Sequence, residues 1–313
     1  LKNILNLNLF NKNFINRLMH PKNEIIVNFP VKLNSGETEI FKGYRIQHNN
    51  LLGPYKGGLR FNKICHLDEC KALAFWMTIK CSLQKLPLGG GKGGIKFNPR
   101  EYSKEDLKNI SKNFSKALSR FIGGELDVPA PDVGSNSQIM DWMTSSYQEA
   151  TNTRDNSVFT GKSLKYGGSK GRTEATGRGL MLCLKKYFEK KNIDSNGLTF
   201  IIQGFGNVGS FSAKLLCSEL GMKCIGVGDH SGYIKNTEGY DVNKLSEYCK
   251  ENGSIENYQK NKINKDEFFS LKTNVLVLAA LELQICNEYA NKLNCDLIIE
   301  GANGPINLGA DEI

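Results

Sequence analysis

The sequence predicts an α/β protein of two domains, the second built on a parallel, doubly wound sheet. Three observations point there. At 313 residues the chain exceeds the roughly 100 to 200 residues usual for one domain. From about Thr173 onward, helix-like and strand-like segments alternate, the pattern of βαβ units. A glycine-rich turn joins one of those strands to the helix that follows it. The boundary is placed between residues 172 and 173, giving domains 1–172 and 173–313, the second ending inside its own pattern.

The elements follow in chain order. Residues 25–27 and 40–46 carry the β-branched and aromatic content of strands. Ser103 with Asp106 forms a capping box, and Leu107, Ile110, Phe114, Leu118 and Phe121 then recur at helical spacing. A helix over 177–190 leads into a strand over 199–203. After the glycine turn come a helix over 208–220, a stop at Gly221 and a strand over 223–227.

Composition narrows the function classes. Hydrophobic residues make up 40% and charged residues 23%, ordinary for a globular chain. No stretch of roughly 18 apolar residues reads as a membrane span. The net charge of +9 comes from Lys and Arg spread along the chain, without the basic run and aromatic platforms of a nucleic-acid binder, so anionic small molecules are the expected partners. Nine cysteines lack any CxxC pair, which fits reduced thiols and a cytoplasmic protein. Cys65, His66 and Cys70 stand close in sequence, but no second ligand pair accompanies them and no metal is expected. Residues 1–20 contain Lys2, Lys12 and Arg17 and no acid, a faint transit-peptide character that keeps the mitochondrial matrix open.

Gly204-Phe205-Gly206-Asn207-Val208-Gly209 fits GxGxxG and lies between a predicted strand and a predicted helix, as a dinucleotide-binding (Rossmann-like) turn requires. Backbone amides at Gly204 and Gly206 can approach a pyrophosphate at the helix N-terminus. Asp229, twenty positions after Gly209, suits a ribose hydroxyl and favours NAD over NADP, whereas His230 and Lys235 are candidates for a 2′-phosphate.

Gly89 to Gly94 enclose Lys92 but do not form a phosphate loop, because Leu86 and Gly93 stand where Gly and Ser or Thr are needed. Gly161-Lys162-Ser163 fails likewise at Asn156. Five glycines around one lysine read as backbone threading a crowded site. Lys56 and Lys80 also sit among glycines or apolar residues, and three such lysines imply an anionic substrate. Asp132, pinned by Pro129 and Pro131, is a candidate proton relay.

Taken together, GPYKGGLRF, PLGGGKGG, DVPAPDVGSN, GGSKGRTEATGRG, QGFGNVG and EGANGP resemble the glutamate dehydrogenases in order and spacing, over roughly residues 21–303. The resemblance implies a first domain for substrate and oligomerisation, a second for the dinucleotide, and a homohexamer. It implies reversible oxidative deamination of L-glutamate to 2-oxoglutarate and ammonia with a nicotinamide cofactor, in the cleft between domains. Lys92 matches the lysine whose depressed pKa lets it activate water, with Lys56 and Lys80 as its crowding neighbours; Asp132 matches the acid serving the substrate nitrogen. Lys80, with Met77 beside it, matches the ligand of the α-carboxylate, and Lys56 that of the side-chain carboxylate. Thr176, Asn207 and Asn303 match contacts to the dinucleotide, joined by Gly204, Gly206, Val208, Gly209 and Asp229.

Lys56 favours glutamate over an apolar amino acid, since the related leucine and phenylalanine dehydrogenases carry an apolar residue there. The resemblance also implies roughly another hundred residues beyond Ile313, with a serine for the side-chain carboxylate and helices returning to the first domain. Leu278, Leu283 and Ile306-Asn307-Leu308-Gly309 depart from the expected Pro, Asn and Thr-Thr-Pro-Glu. A dinucleotide or glutamate sensor without turnover is the rival reading; the presence of both Lys92 and Asp132 argues against it.

Overall fold

The computed structural model describes residues 11–259 and 262–313. The chain divides into two compact units between Lys170 and Gly171. Of the transit-like residues 1–20, the first ten lie outside the described residues; Lys12–Met19 form α1, capped by the Asn11 side chain and burying Ile15.

The first unit is a five-stranded sheet, β1 (Asn23–Lys32), β2 (Thr38–Asn49), β3 (Tyr55–Phe61), β4 (Gly90–Ile95) and β5 (Asp127–Pro131), in the order β1-β2-β4-β3-β5. β1, β2 and β4 pair antiparallel, whereas β4, β3 and β5 run parallel. Helices α3 (Lys104–Leu118) and α4 (Ser137–Thr151) cover one face. There Phe29, Phe41, Leu59, Phe61 and Ile95 pack with Ile110, Phe114 and Leu118 of α3 and Met140 and Met143 of α4. Each such side chain, once buried, contributes about 1.5–3 kcal/mol. α2 (Leu67–Leu83) covers the other face, where Cys65, Cys70 and Ala74 meet Tyr44 and Ile46.

The capping box forms as expected: Ser103 Oγ accepts the Asp106 N–H at 3.1 Å and donates to the Asp106 carboxylate at 2.7 Å. Phe121 corrects the periodicity reading. α3 ends at Leu118, the chain turns, and Phe121 is left 41% exposed.

The second unit has helix α5 (Ala175–Lys191), strand β6 (Thr199–Gln203), helix α6 (Asn207–Leu220), strands β7 (Lys223–Asp229) and β8 (Gly232–Lys235), helix α7 (Val242–Asn252), strand β9 (Lys262–Ile263), helix α8 (Lys265–Phe269), strand β10 (Thr273–Leu278), helix α9 (Asn287–Ala290), strand β11 (Cys295–Glu300) and helix α10 (Leu308–Asp311). The strand order is β11-β10-β6-β7-β8-β9, parallel from β11 to β7, with antiparallel β8 and β9 closing one edge. Phe200, Ile202, Val227, Val275 and Val277 pack beneath Leu184, Leu216 and Leu245 of α5, α6 and α7, while Ile201, Ile225, Leu276 and Leu278 pack against Phe268 and Phe269 on the other face. That alternation is what a doubly wound sheet demands of its strands. Gly221 ends α6 with φ +64°, the left-handed cap the sequence predicts.

Candidate active site

Lys92 lies on β4, between β2 and β3. Side chains alternate along a strand, so with Ile95 facing α3 and α4, Lys92 and Gly94 turn toward α2. A Cβ on Gly94 would lie 2.8 Å from Cys65 Sγ, which places that face directly. The glycines around the lysine answer to crowding. A Cβ on Gly57 would overlap the carbonyl oxygen of Gly91, and it would come within 3.3 Å of Met77 Cγ on α2. Backbone here replaces side chains.

The Lys92 ammonium is hydrogen-bonded to Asp132 Oδ2, and the two side chains are 6% and 15% exposed. Asp132 follows β5 directly. Its Oδ1 accepts the Val133 N–H at 2.6 Å and lies 3.5 Å from Arg60 Nε. Gly58 makes room for it, since a Cβ there would stand 2.6 Å from Asp132 Oδ2. Burial pushes the Asp132 carboxyl upward, but Lys92, the Val133 N–H and Arg60 together outweigh it and hold the group below the ordinary carboxylate range.

Arg60 was not singled out from the sequence. It reaches from β3 to Glu69 Oε1 on α2 at 2.5 Å, so Lys92, Asp132, Arg60 and Glu69 form a compact cluster of two cations and two anions. Lys56 stands on β3 beside Gly57, and Lys80 lies three residues beyond Met77 on α2. Beneath them Arg45 and Asp127, both fully buried, form a two-pronged ion pair, with Arg45 Nε to Asp127 Oδ2 at 2.8 Å. Arg45 Nη1 also donates to Gly57 O at 3.2 Å, and Gln47 Nε2 donates to Asp127 Oδ2 at 3.0 Å. This pair ties β2, β3 and β5 together. Removing either partner strands a buried charge, which typically costs about 3–5 kcal/mol.

Among the described residues no three His, Cys, Asp or Glu side chains gather as a metal ion would need. Cys65 and Cys70 lie 3.9 Å apart, while His66 Nδ1 accepts the Glu69 N–H and caps α2.

The other sequence-predicted residues fall in the second unit, around the carboxyl ends of β6 and β10, where the strand order reverses. Gly204 has φ +97°, and a Cβ on it would lie 2.5 Å from the Ala279 carbonyl after β10. A Cβ on Gly209 would overlap Gly204 O, so the third glycine lets α6 pack onto the turn. Gly206 differs, because no atom of the described residues lies within 4 Å of where its Cβ would point. Gly206 is also the N-cap of α6 and brings no side-chain cap, leaving first-turn N–H groups of Asn207 and Val208 available to an anion. Asn207 Nδ2 donates to Thr173 O at 3.3 Å, two residues before α5 begins and three before Thr176. A Cβ on Gly301 would come within 3.1 Å of Val208 Cγ1, which brings the loop bearing Asn303 to the same place.

Asp229 ends β7 and lines a cavity of about 360 Å³ with Gly206, Asn207, His230 and Lys250. Its Oδ1 accepts from Ser231 N and Oγ at 2.7 and 2.6 Å, and its Oδ2 accepts from Ile255 N at 2.8 Å. A carboxylate has about four acceptor positions. Among the described residues these three bonds leave one acceptor position, on Oδ2, for a ligand hydroxyl. Of the two 2′-phosphate candidates, Lys235 has its ammonium paired with Glu267 on α8, and His230 Nδ1 lies 4.0 Å from Asp229 Oδ2. An open glycine, uncapped amides and an acid with an acceptor position to spare fit a dinucleotide.

Fold and site define an α/β protein with a buried lysine–carboxylate pair on one unit and a dinucleotide-type turn on the other. The family description "Glu/Leu/Phe/Val dehydrogenase, dimerisation domain" matches residues 21–149, and "Glutamate/Leucine/Phenylalanine/Valine dehydrogenase" matches residues 167–313. The chain belongs to that family.

Among its relatives, the glutamate dehydrogenase of Thermotoga maritima is 44% identical over 95% of this chain and 71% of its own length. The catabolic NAD-specific glutamate dehydrogenase RocG of Bacillus subtilis is 39% identical over 95% and 70%. The structure of a hetero-hexameric glutamate dehydrogenase from Thermus thermophilus, in a Leu-bound form, superposes with a TM-score of 0.92 at 32% identity, covering 96% of this chain and 72% of that one.

Proposed function

We propose that the protein is a glutamate dehydrogenase, interconverting L-glutamate with 2-oxoglutarate and ammonia, with NAD as its cofactor. The observation that carries the mechanism is the hydrogen bond between Lys92 and Asp132 inside the glycine-walled seam. A lysine bonded to a carboxylate has a route for its proton. In deamination the Lys92 ammonium first gives up a proton to solvent by way of Asp132; Asp132, ionised again, takes one from the substrate nitrogen, and the neutral Lys92 amine removes one from the water that attacks the iminium carbon. Gly204, Gly206, Asn207, Val208, Gly209, Asp229, Thr176 and Asn303 would hold the dinucleotide, whose nicotinamide would accept the hydride. Lys80, with Met77, takes the α-carboxylate, and Lys56 the side-chain carboxylate.

NAD is favoured by the acceptor position left on Asp229, by the pairing of Lys235 with Glu267 and by the NAD-specific relatives. The dimerisation-domain description and the hetero-hexameric relative support an oligomer, with a homohexamer as the assembly we propose. No helix of the described residues is long and apolar enough to cross a membrane, and nine free thiols suit the reducing cytoplasm.

The test is oxidation of NADH and NADPH with 2-oxoglutarate and ammonium, followed by near-ultraviolet absorbance on this chain and on any longer form its gene encodes. Cofactor binding without turnover in every form would replace the enzyme with a sensor. Lys56→Leu checks the substrate: glutamate use should fall at least about tenfold more than norvaline use, a difference of about 1.4 kcal/mol. Equal losses for the two amino acids would remove glutamate as the preferred substrate.

A further inference from the structure

The charge cluster at the proposed acid–base pair contains one cation with no part in the chemistry so far. Arg60 is 6% exposed and sits on the strand next to Lys92's, held to α2 through Glu69 at 2.5 Å. Its Nε faces Asp132 Oδ1 at 3.5 Å, the oxygen that also accepts the Val133 N–H, whereas Lys92 takes the opposite oxygen, Oδ2. The two carboxylate oxygens thus have different surroundings. Oδ1 is fixed by backbone and by a cation that cannot give up its proton; Oδ2 meets the group that can.

We propose that Arg60 is a positioning residue: anchored by Glu69, it holds Oδ1 of Asp132 so that Oδ2 alone exchanges protons. The proposal rests on Asp132 being the acid–base group of a glutamate dehydrogenase. Glu69 has two effects. It fixes the guanidinium in place, and it balances a charge that would otherwise repel Lys92 across the cluster. A lysine at position 60 keeps the charge but loses the planar fork that reaches Glu69 and Asp132 together.

The experiment measures kcat and KM for L-glutamate, with saturating NAD, across pH in the unaltered protein, in Arg60→Met, in Arg60→Lys and in the charge-conserving double variant Arg60→Met/Glu69→Gln. That double variant is included because Arg60→Met alone leaves Glu69 without its partner and is the one prone to misfold. The expected result is a kcat at least about tenfold lower in both Met variants, part of the hundredfold or more that acid–base catalysis contributes. KM should stay within about threefold, because uniform substrate binding is not what is lost. The acid limb of kcat should move to higher pH, since Asp132 loses a cation that favours its ionised form. Arg60→Lys should restore the limb and part of kcat.

An unmoved limb in both Met variants would reduce Arg60 to a structural residue. A rise confined to KM would make it a substrate ligand. Either overturns the proposal while leaving the function standing. Absence of turnover in the unaltered protein would instead remove the functional reading beneath it.

Discussion

Glycines crowd both functional regions, but for opposite reasons. In the first unit they let neighbouring groups press against backbone: the Gly91 carbonyl against Gly57, the Arg60 carbonyl against Gly94, the Asp132 side chain against Gly58. In the second unit two glycines serve the same end, Gly204 and Gly209, but Gly206 faces open space. The lesson is that a glycine motif marks either a site closed by the protein itself or a site left open for something else. Only the surroundings of each Cβ tell them apart.

Substitutions test the comparison, beginning with the largest effect. Gly57→Ala should destabilise the first unit by more than about 3 kcal/mol, as overpacking against rigid backbone does, read as a fall in the urea midpoint. A midpoint within error of the parent would mean the seam has slack. Next, Asp132→Asn and Lys92→Ala should each lower turnover by about a hundredfold or more while NADH still binds, since both act on the proton rather than on the cofactor. Equal loss of NADH binding would show that the pair holds the second unit's ligand.

Gly206→Ala should do the reverse of Gly57→Ala. Its thermal midpoint should barely move, while NADH binds about tenfold more weakly by titration, or about 1.4 kcal/mol. Unchanged affinity would mean that the open space at Gly206 is not where the pyrophosphate sits. The smallest effect expected is a gain. Leu283 has φ +54°, a left-handed conformation that costs an L side chain roughly 1–2 kcal/mol and that Asn tolerates better. Leu283→Asn, restoring the residue expected from the resemblance, should raise stability by about 1 kcal/mol; a loss would point to a contact made by the leucine.

Much of this was legible because its determinants are local. The Ser103 and Asp106 box, the run 199–203, the turn at Gly204 and the stop at Gly221 each need only a few neighbouring residues, and the structure has them in place. The five glycines around Lys92 announced close packing before any neighbour was known. Phe121 misled because its spacing continues the apolar stripe of α3, while the chain turns at Leu118 and sends the Phe121 carbonyl to Gln47. Arg45 and Asp127 stand 82 positions apart, so no short pattern exposes them. Arg60 was within reach: it lies inside the GPYKGGLRF motif, four residues after Lys56 on one short strand.

Pro129 and Pro131, read first as fixing Asp132, have a second consequence. β5 is an outer strand of its sheet, pairing with β3 on one side. Proline has no N–H to offer a neighbour, and the Pro129 carbonyl already accepts the Thr160 N–H at 3.0 Å. The rim beside the acid is thereby barred to an invading strand, the common first step of aggregation, and further growth of this sheet is left to the β1 side.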